Sequence, residues 1–441
     1  MKVLGKLILL GALVFILLQF ARPGIPTQPE TAQLAAPAEV RHILEKDCYS
    51  CHSDQRRLAW FDQIVPAYWL VRRDILTARD HLNFSTLATL PAAAQKARLY
   101  EAVAMIQLGA MPLPQFTQFH PDAKVTPEEM ATLKAYLAPW SQPPLPAGPS
   151  AAALTRVSLS SVQPELNGLP FFPDFESWKV ISTTDRGDNN TFRFILGNDI
   201  AIRAAQSGNI SPWPEGAAFA KIAWQQQSAP NGLILPGKFI QVEFMLKDAQ
   251  RYKATEGWGW GRWRGNDLKP YGDNARFVTE CTGCHQPIHG DDYVYTLPIT
   301  AARVAGVEAV NNNAAALPAT LPFQPLAWNA ITMFVDPKTR TTATLYGNAA
   351  AVKAARASSP NYPPGAVLAL VTWTQREDPH WFGARIPDTP QSVEFLQTAA
   401  PGQSRTYRRF AGPGLVEDHP SAGTAAQRIS FIEAQAPAWL P

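Results

Sequence analysis

The cysteines constrain this 441-residue chain more than any other sequence feature. There are four of them, Cys48, Cys51, Cys281 and Cys284, and they form two C-x-x-C pairs. A histidine follows each pair directly, so every cysteine belongs to a C-x-x-C-H motif. No cysteine is left for a structural disulfide, which excludes a disulfide-stabilised scaffold as the fold.

C-x-x-C-H is the attachment motif of c-type haem. The two thiolates add to the haem vinyl groups, and the adjacent histidine becomes the proximal iron ligand, a role that falls to His52 and His285. A zinc site needs further Cys or His ligands at suitable spacing, and a redox dithiol has no use for the histidine. We therefore expect two covalently bound haem c groups.

The first residues indicate export. Lys2 and Lys6 precede a strictly apolar run at 7–18, a pattern typical of a secretory signal. The run is short for a spanning helix, yet the residues after it make a poor cleavage site, so a cleaved signal and an uncleaved anchor both stay open. We expect the chain on the periplasmic side of a bacterial inner membrane, tethered by an uncleaved N-terminal helix.

Composition narrows the class of protein further. The charges nearly cancel, with 39 basic and 36 acidic side chains, and no basic stripe is visible. Nucleic-acid binding is therefore not expected. The 40 prolines favour loop-rich or β-rich segments over one long helical bundle.

The pattern of apolar residues changes along the chain. Helical periodicity and a capping box at Thr126–Glu129 characterise residues 39–140, and a proline-rich stretch follows at 141–150. Beyond it, short apolar runs at 191–196, 218–224 and 239–246 predict strands.

The C-terminal part contains an internal duplication. Landmarks recur in order at a spacing of 149 to 151 residues. They are Trp178 and Trp328, Gly197-Asn198 and Gly347-Asn348, Gly216 and Gly365, Trp224 and Trp373, and Val242-Glu243-Phe244 and Val393-Glu394-Phe395. We infer two copies of one α+β domain, of which the second lacks cysteine.

The predicted fold class is thus multidomain, with a small all-α c-type haem domain and two α+β domains. Each α+β domain is an antiparallel sheet packed with helices. The expected segments are 1–38 (signal or anchor, and tether), 39–140 (helical haem domain), 141–160 (linker), 161–305 (haem-binding repeat) and 315–441 (haem-less repeat).

Met111 is the candidate sixth ligand of the first haem. It lies on a proline-stiffened loop, Gly109-Ala110-Met111-Pro112, about 60 residues after His52, and a thioether ligand raises the haem reduction potential. His81 and His120 are the alternatives.

This region resembles the exported monohaem "haem-binding domain" family. The matching residues include Asp47–Ser53, Trp60-Phe61, Leu82–Ser85, Met111-Pro112 and His120-Pro121.

The second motif has no methionine at a plausible distance after it, which predicts an open coordination site. Here the sequence resembles the cytochrome P-460 family. The similarity rests on Thr191-Phe192-Arg193, Trp213-Pro214-Glu215-Gly216, Phe219-Ala220-Lys221, Val242-Glu243 and Tyr293-Val294-Tyr295. It implies that Lys221 forms the family's lysine–haem cross-link and that Arg193 and Glu243 line the distal pocket.

The residues themselves leave simpler interpretations open. Lys221 shares a strand face with Phe219 and Ala223, but it could also be an edge-strand lysine that reaches solvent. Arg193 could be a surface arginine that pairs with a carboxylate, and Glu243 is equally open. Trp258, Trp260 and Trp263 could form a wall beside the haem or an electron path, but an ordinary aromatic core face is the expected arrangement.

The second repeat departs from the pattern. Leu370 replaces the lysine, and no C-x-x-C-H follows. Members of the P-460 family are homodimers, so the resemblance implies that the second repeat serves as an intrachain pseudo-dimer partner.

These features predict an exported dihaem cytochrome that oxidises hydroxylamine or processes nitric oxide. Glu243 is the candidate proton acceptor, and Arg193 is the candidate group to stabilise a negatively polarised ligand. The His/Met haem is expected to pass electrons to a redox-partner cytochrome. The alternative is a gas-binding or electron-transfer protein without turnover.

Overall fold

The computed structural model describes residues 2–27, 34–55, 58–138, 145–146, 157–300, 310–357, 359, 361–399 and 404–441. The chain divides into two compact units, Met1–Ser141 and Gln142–Pro441. Most of the predicted linker at 141–150 lies outside the described residues.

The first unit is helical. Its helices are α1 (Lys2–Leu18), α2 (Ala38–Asp47), α3 (Tyr49–His52), α4 (Ala67–His81), α5 (Ala92–Gln107), α6 (Pro114–Thr117) and α7 (Pro127–Leu137). The predicted capping box is present at α7. The Thr126 hydroxyl accepts from the Glu129 amide at 3.2 Å, and the Glu129 carboxylate accepts from the Thr126 amide at 2.8 Å.

Helix α1 corrects the expected localisation. It is 17 residues long, which at 1.5 Å per residue gives about 25 Å, against about 30 Å for a bilayer core. Nowhere in the described ranges does a helix have both the length and the apolarity needed to cross a membrane. The predicted membrane tether is therefore wrong, and with it the placement at the inner membrane that rested on the tether.

The segment after α1 packs against α4. Ile25 is 4% exposed and lies in a cluster with Val65, Tyr68 and Ile75. The Tyr68 hydroxyl donates to the Pro23 carbonyl at 2.6 Å. Residues at the start of the expected tether thus contribute to the core of the helical unit.

The second unit is β-rich. Its strands are β1 (Leu145–Pro146), β2 (Lys179–Arg186), β3 (Thr191–Gly197), β4 (Ala218–Ser228), β5 (Ile234–Lys247), β6 (Trp258–Arg264), β7 (Lys269–Pro270), β8 (Asn329–Asp336), β9 (Thr341–Gly347), β10 (Val367–Glu377), β11 (Ala384–Gln397), β12 (Thr406–Ala411) and β13 (Val416–Asp418). Its helices are α8 (Asp199–Ser207), α9 (Val278–His285), α10 (Ala349–Arg356) and α11 (Ala422–Glu433).

The two repeats have the same element order, from β2 to α9 and from β8 to α11. Their helix caps also correspond: the side chain of Asn198 accepts from Ala201 N and donates to Gly216 O, and that of Asn348 accepts from Ala351 N and donates to Gly365 O. Both glycines have a left-handed backbone, with φ of +80° and +79°. The predicted duplication and fold class are confirmed.

The strands of both repeats form one continuous antiparallel arrangement. Eight strands close a ring in the order β4-β3-β2-β11-β10-β9-β8-β5 and back to β4. The pairings between the repeats are reciprocal, because β5 pairs with β8 and β11 pairs with β2. One hydrophobic cluster combines residues of all eight strands, with Trp224, Phe244, Trp373 and Phe395 among the most buried. This shared core leaves the opposite face of each repeat for its helices.

Candidate functional site

The first C-x-x-C-H motif forms α3 and its N-terminal flank. Cys48 is the residue that precedes the helix, and His52 is its last residue. The His52 ring donates from Nδ1 to the Leu82 carbonyl at 3.0 Å. Cys51 packs on the cluster of Val65 and Ile75. The motif is thus fixed to the residues that follow α4.

Residues 82–85 hold this motif in place through several hydrogen bonds. Phe84 N donates to the His52 carbonyl at 2.7 Å, and Asp54 N donates to the Ser85 hydroxyl at 2.9 Å. The Asn83 amide donates to the Asp54 carboxylate at 2.8 Å. These contacts give a structural reason for the Leu82–Ser85 sequence beside a C-x-x-C-H motif.

The candidates for the sixth ligand lie in different settings. Met111 follows α5 on a half-buried loop, where its amide donates to the Met105 carbonyl at 3.2 Å. His120 is stacked on Phe116 and contacts Asp62 through Nε2 at 3.1 Å. His81 is the exposed last residue of α4. The assignment to Met111 stays a prediction.

The second motif lies within α9 and packs on the outer face of the first repeat. Cys281 contacts a cluster that includes Trp258 and Trp260. The His285 ring lies 4.5 Å from the Trp260 ring and 5.0 Å from the Tyr295 ring. Its Nδ1 donates to the Tyr293 carbonyl at 2.6 Å. The Tyr295 hydroxyl donates to the Cys284 carbonyl at 2.6 Å, so residues 293–295 hold the C-terminal end of the motif.

A buried ion pair shapes this loop. Asp292 and Tyr293 have φ values of +50° and +67°, which non-glycine residues rarely adopt. The Asp292 carboxylate accepts from Lys247 Nζ at 2.6 Å and from Trp213 N at 2.9 Å. These bonds offset the cost of the left-handed backbone, and they fix the carbonyl that accepts from His285.

The predicted residues Lys221 and Glu243 lie directly opposite each other on β4 and β5. Glu243 in turn lies opposite Arg262 of β6. Lys221 Nζ forms a very short ion pair with Glu243, and Arg262 Nε lies 3.0 Å from its other oxygen. We call this cross-strand set the charged row. Strand β4 lies between β3 and β5, so Lys221 is not on an edge strand.

The charged row changes the acidity of its members. Burial raises the pKa of Glu243, but the charges of Lys221 and Arg262 outweigh it and lower that pKa to about 2. Burial lowers the pKa of Lys221 in spite of its carboxylate partner. The row therefore holds a stable anion between two cations.

Arg193 lies beside this row on β3. Its Nε is buried and finds no hydrogen-bond acceptor among the described residues. Burial and the charge of Arg186 lower the pKa of Arg193 to about 10, although the carboxylates of Asp188 and Glu243 act in the opposite direction. Trp260 Nε1 is another buried donor that lacks a partner within the described ranges. The predicted residues Arg193, Lys221 and Glu243 are thus brought together next to the second motif.

The tryptophan prediction was wrong in one respect. Trp258 and Trp260 lie on the outer face with α9, whereas Trp263 belongs to the interior cluster. Since side chains alternate along a strand, Trp258 and Trp260 share their face with Arg262. Sequence reasoning missed Arg262, and this period of two is the signal that could have found it.

The second repeat, which has no C-x-x-C-H motif, differs from the first repeat at the lysine position of the charged row. Leu370 lies opposite Glu394, as Lys221 lies opposite Glu243. Leu345, Leu370, Leu396 and Ile432 of α11 form a compact apolar cluster on this face. Glu394 is satisfied by Arg428 at 2.6 Å and by the hydroxyl of Tyr407. Helix α11 therefore packs on a face where leucine replaces the lysine and one glutamate–arginine pair, Glu394 with Arg428, remains.

The donor atoms of both motifs fit covalently attached haem. His52 and His285 each donate Nδ1–H to a carbonyl, which leaves the Nε2 lone pair for a metal. Burial lowers the pKa of His52 and lowers that of His285 to about 4, so both rings are neutral at pH 7. Neutral imidazole is the form that ligates iron.

The other interpretations of the motifs fit less well. Burial raises the pKa of Cys48 and Cys281 to about 12 and that of Cys51 to about 11. A redox dithiol needs a lowered thiol pKa. Across the described part of the chain, no three His, Cys, Asp or Glu side chains are grouped to hold a metal ion, and a structural zinc site needs four ligands.

Comparison with known families agrees with this donor chemistry. The haem-binding domain family matches residues 10–139, and the cytochrome P460 family matches 172–296 and 326–412. These ranges cover the helical unit and both repeats. No curated protein sequence matches the chain significantly. The chain is therefore a haem cytochrome in which a domain of the haem-binding domain family is joined to a duplicated cytochrome P460 region.

Proposed function

We propose that the chain is a dihaem c-type cytochrome that oxidises hydroxylamine or processes nitric oxide at its second haem. Cys281, Cys284 and His285 would hold that haem, and Cys48, Cys51, His52 and Met111 would hold the first. The observation that carries the proposal is the charged row beside the second motif, next to the buried Arg193 Nε, for which the described residues offer no acceptor. The second repeat keeps the glutamate and an arginine partner, Glu394 and Arg428, but has Leu370 in place of the lysine, so the fold itself does not require a lysine beside the glutamate.

A haem bound at the second motif supplies an open coordination position and accepts electrons one at a time. Oxidation of hydroxylamine releases protons together with electrons, so the protein must accept those protons. Glu243 is the carboxylate in place to do so, and Arg193 offers a buried cationic donor to a negatively polarised ligand. The first haem, which Cys48, Cys51, His52 and Met111 would hold, would pass the electrons on to a partner cytochrome.

The state of Lys221 controls how well Glu243 can act as a base. A carboxylate with a pKa near 2 is a weak proton acceptor at neutral pH. If the Lys221 amine is bonded to the porphyrin edge, it becomes far less basic and its charge is lost. Glu243 then keeps Arg262 as its main cation, and its pKa rises. Formation of the Lys221 cross-link therefore makes Glu243 a better proton acceptor.

The non-catalytic alternative also has an observation in its favour. Lys221 already has an ion-pair partner in Glu243, so it has no need of a covalent bond to offset its burial. The visible spectrum of the reduced protein separates the two functions. A Soret band far to the red supports the cross-linked enzyme, and an ordinary c-type spectrum supports a gas-binding or electron-transfer cytochrome.

We also propose that the two repeats act as an intrachain pseudo-dimer. The reciprocal pairing of β5 with β8 and of β11 with β2 supports this proposal, because a two-fold interface uses the same surface on both sides.

Haem stoichiometry is the first expected result. Mass spectrometry of the intact protein should find two haems, and peptide mapping should place one on Cys48 and Cys51 and the other on Cys281 and Cys284. Replacing Cys281 and Cys284 together with serine should remove one haem and all binding of nitric oxide, because the first haem has no open position. A single haem in the unchanged protein, or zinc in either motif, contradicts the dihaem proposal.

Coordination of the first haem gives the second expected result. Met111→Ala should remove the charge-transfer absorption of a His/Met haem and lower its reduction potential, because the thioether favours the ferrous state. Met130→Ala, at a half-buried methionine of α7, is the matched control and should change neither. An unaltered spectrum in Met111→Ala would assign the ligand to His81 or His120 instead.

A further inference from the structure

The loop between β10 and β11, residues 378–383, belongs to the haem-less repeat but contacts Asp291 and Tyr295, which follow the haem motif of the other repeat. Strand β11 pairs with β2 immediately after this loop, through Ala384 opposite Arg186. Because β11 pairs with β2 of the first repeat, the loop lies beside the first repeat, at the end where α9 is found.

His380 makes the most direct contact of this loop. Its Nδ1 donates to the Tyr295 carbonyl at 2.7 Å, and its Nε2 lies 3.7 Å from Asp291. The Asp378 carboxylate accepts from the His380 amide at 2.9 Å and so fixes the turn. The His380 side chain is 13% exposed.

Trp381 packs on the other side of the same tyrosine. Its ring lies 5.8 Å from the Tyr295 ring in an edge-to-face arrangement. The Arg186 guanidinium stacks on the indole at 4.4 Å, and indole Nε1 donates to Asp188 at 3.3 Å. Trp381 is thus held from the first repeat while it supports Tyr295.

We infer that the haem-less repeat completes the proximal side of the second haem motif, with His380 and Trp381 as positioning residues that act through Tyr295. Tyr295 donates to the Cys284 carbonyl and packs against the His285 ring. The inference rests on the proposal that His285 ligates a haem.

The physical consequence concerns the strength of the histidine ligand. The hydrogen bond from His285 Nδ1 to the Tyr293 carbonyl raises the basicity of the imidazole. Tyr293 and Tyr295 belong to one short loop, so loosening Tyr295 weakens that bond. A less basic imidazole binds iron more weakly and stabilises ferric iron less.

The experiment uses the full chain with both haems and the variants His380→Ala and Trp381→Ala, singly and together. Resonance Raman spectra of the ferrous protein report the iron–histidine stretch of the five-coordinate haem alone, since the six-coordinate first haem has no such band. We expect the band to broaden and move to lower frequency. The reduction potential of the second haem should rise, while that of the first haem stays unchanged.

Two further variants separate positioning from general stability. His380→Asn keeps a donor for the Tyr295 carbonyl and should restore the band and the potential. The control is Asn231→Ala in the β4–β5 loop of the first repeat. The Asn231 side chain accepts from Leu233 N at 3.1 Å, as the Asp378 side chain accepts from His380 N. Its removal should change neither the iron–histidine band nor the reduction potential.

The outcomes distinguish this inference from the proposed function. If both alanine variants contain two haems and keep the iron–histidine band and the reduction potential of the unchanged protein, this inference is overturned and the proposed function is not. One haem in the unchanged protein, or no iron–histidine band from it, overturns the proposed function and this inference with it.

Discussion

Replacing Lys221 with leucine should abolish hydroxylamine oxidation and leave the fold and both haems in place. The second repeat already carries this substitution, because Leu370 occupies the same register position opposite a buried glutamate. Glu243 keeps Arg262 as a partner at 3.0 Å, so its charge is not left unpaired. The variant should lose the red-shifted Soret band and turnover while it still binds nitric oxide.

Lys238→Leu is the matched control, since it removes an exposed lysine from the neighbouring strand β5. It should keep the Soret band and the activity of the unchanged protein. Retained oxidation in Lys221→Leu would show that this lysine has no catalytic role. The gas-binding alternative, or an enzyme without the cross-link, then becomes the better account.

The motifs and the duplication could be predicted from sequence because their signals are local. C-x-x-C-H is a short segment whose chemistry follows from residue type and spacing. The Gly-Asn landmarks recur because Asn198 and Asn348 each cap a helix and also bind the carbonyl of a left-handed glycine. One side chain with two backbone partners is difficult to replace, so both copies keep it.

The closed ring of strands could not be predicted, because it depends on pairings between residues far apart in sequence. Ile234 opposite Val335 and Ala384 opposite Arg186 join the repeats, and no local pattern encodes such partners. The role of residues 378–383 beside α9 depends on the same pairings. The sequence shows His380, but only the fold brings it to Tyr295.

The prediction of a membrane tether failed for a different reason. The apolar run has the composition of a membrane segment, but its helix ends at Leu18, and Gln19 already bonds to Val65. The length of the helix decided against the membrane tether, and composition alone does not report that length.

Glu243→Gln is expected to cost stability as well as activity. The substitution leaves Lys221, Arg262 and Arg193 close together without an anion, and removing one partner from a mostly buried ion pair costs about 3 kcal/mol. Glu394→Gln is the matched control in the second repeat. It leaves one cation of the ion pair, Arg428, which is 34% exposed, whereas Glu243→Gln leaves three cations close together, so the cost there should be smaller, about 1 kcal/mol. Chemical denaturation followed by circular dichroism measures both differences.

The pH dependence of that stability difference also reports the state of Lys221. A pKa lowered from 4.5 to about 2 in the folded chain means that Glu243 stabilises fully above pH 4.5, and that this contribution is lost as the pH falls towards 2. The difference between the unchanged protein and Glu243→Gln should therefore be constant near neutral pH and shrink over that window. If Lys221 is cross-linked and uncharged, the folded pKa of Glu243 is higher and the difference is smaller throughout. A difference that does not change between pH 5 and about pH 2 would show that Glu243 is not held by its ionic partners.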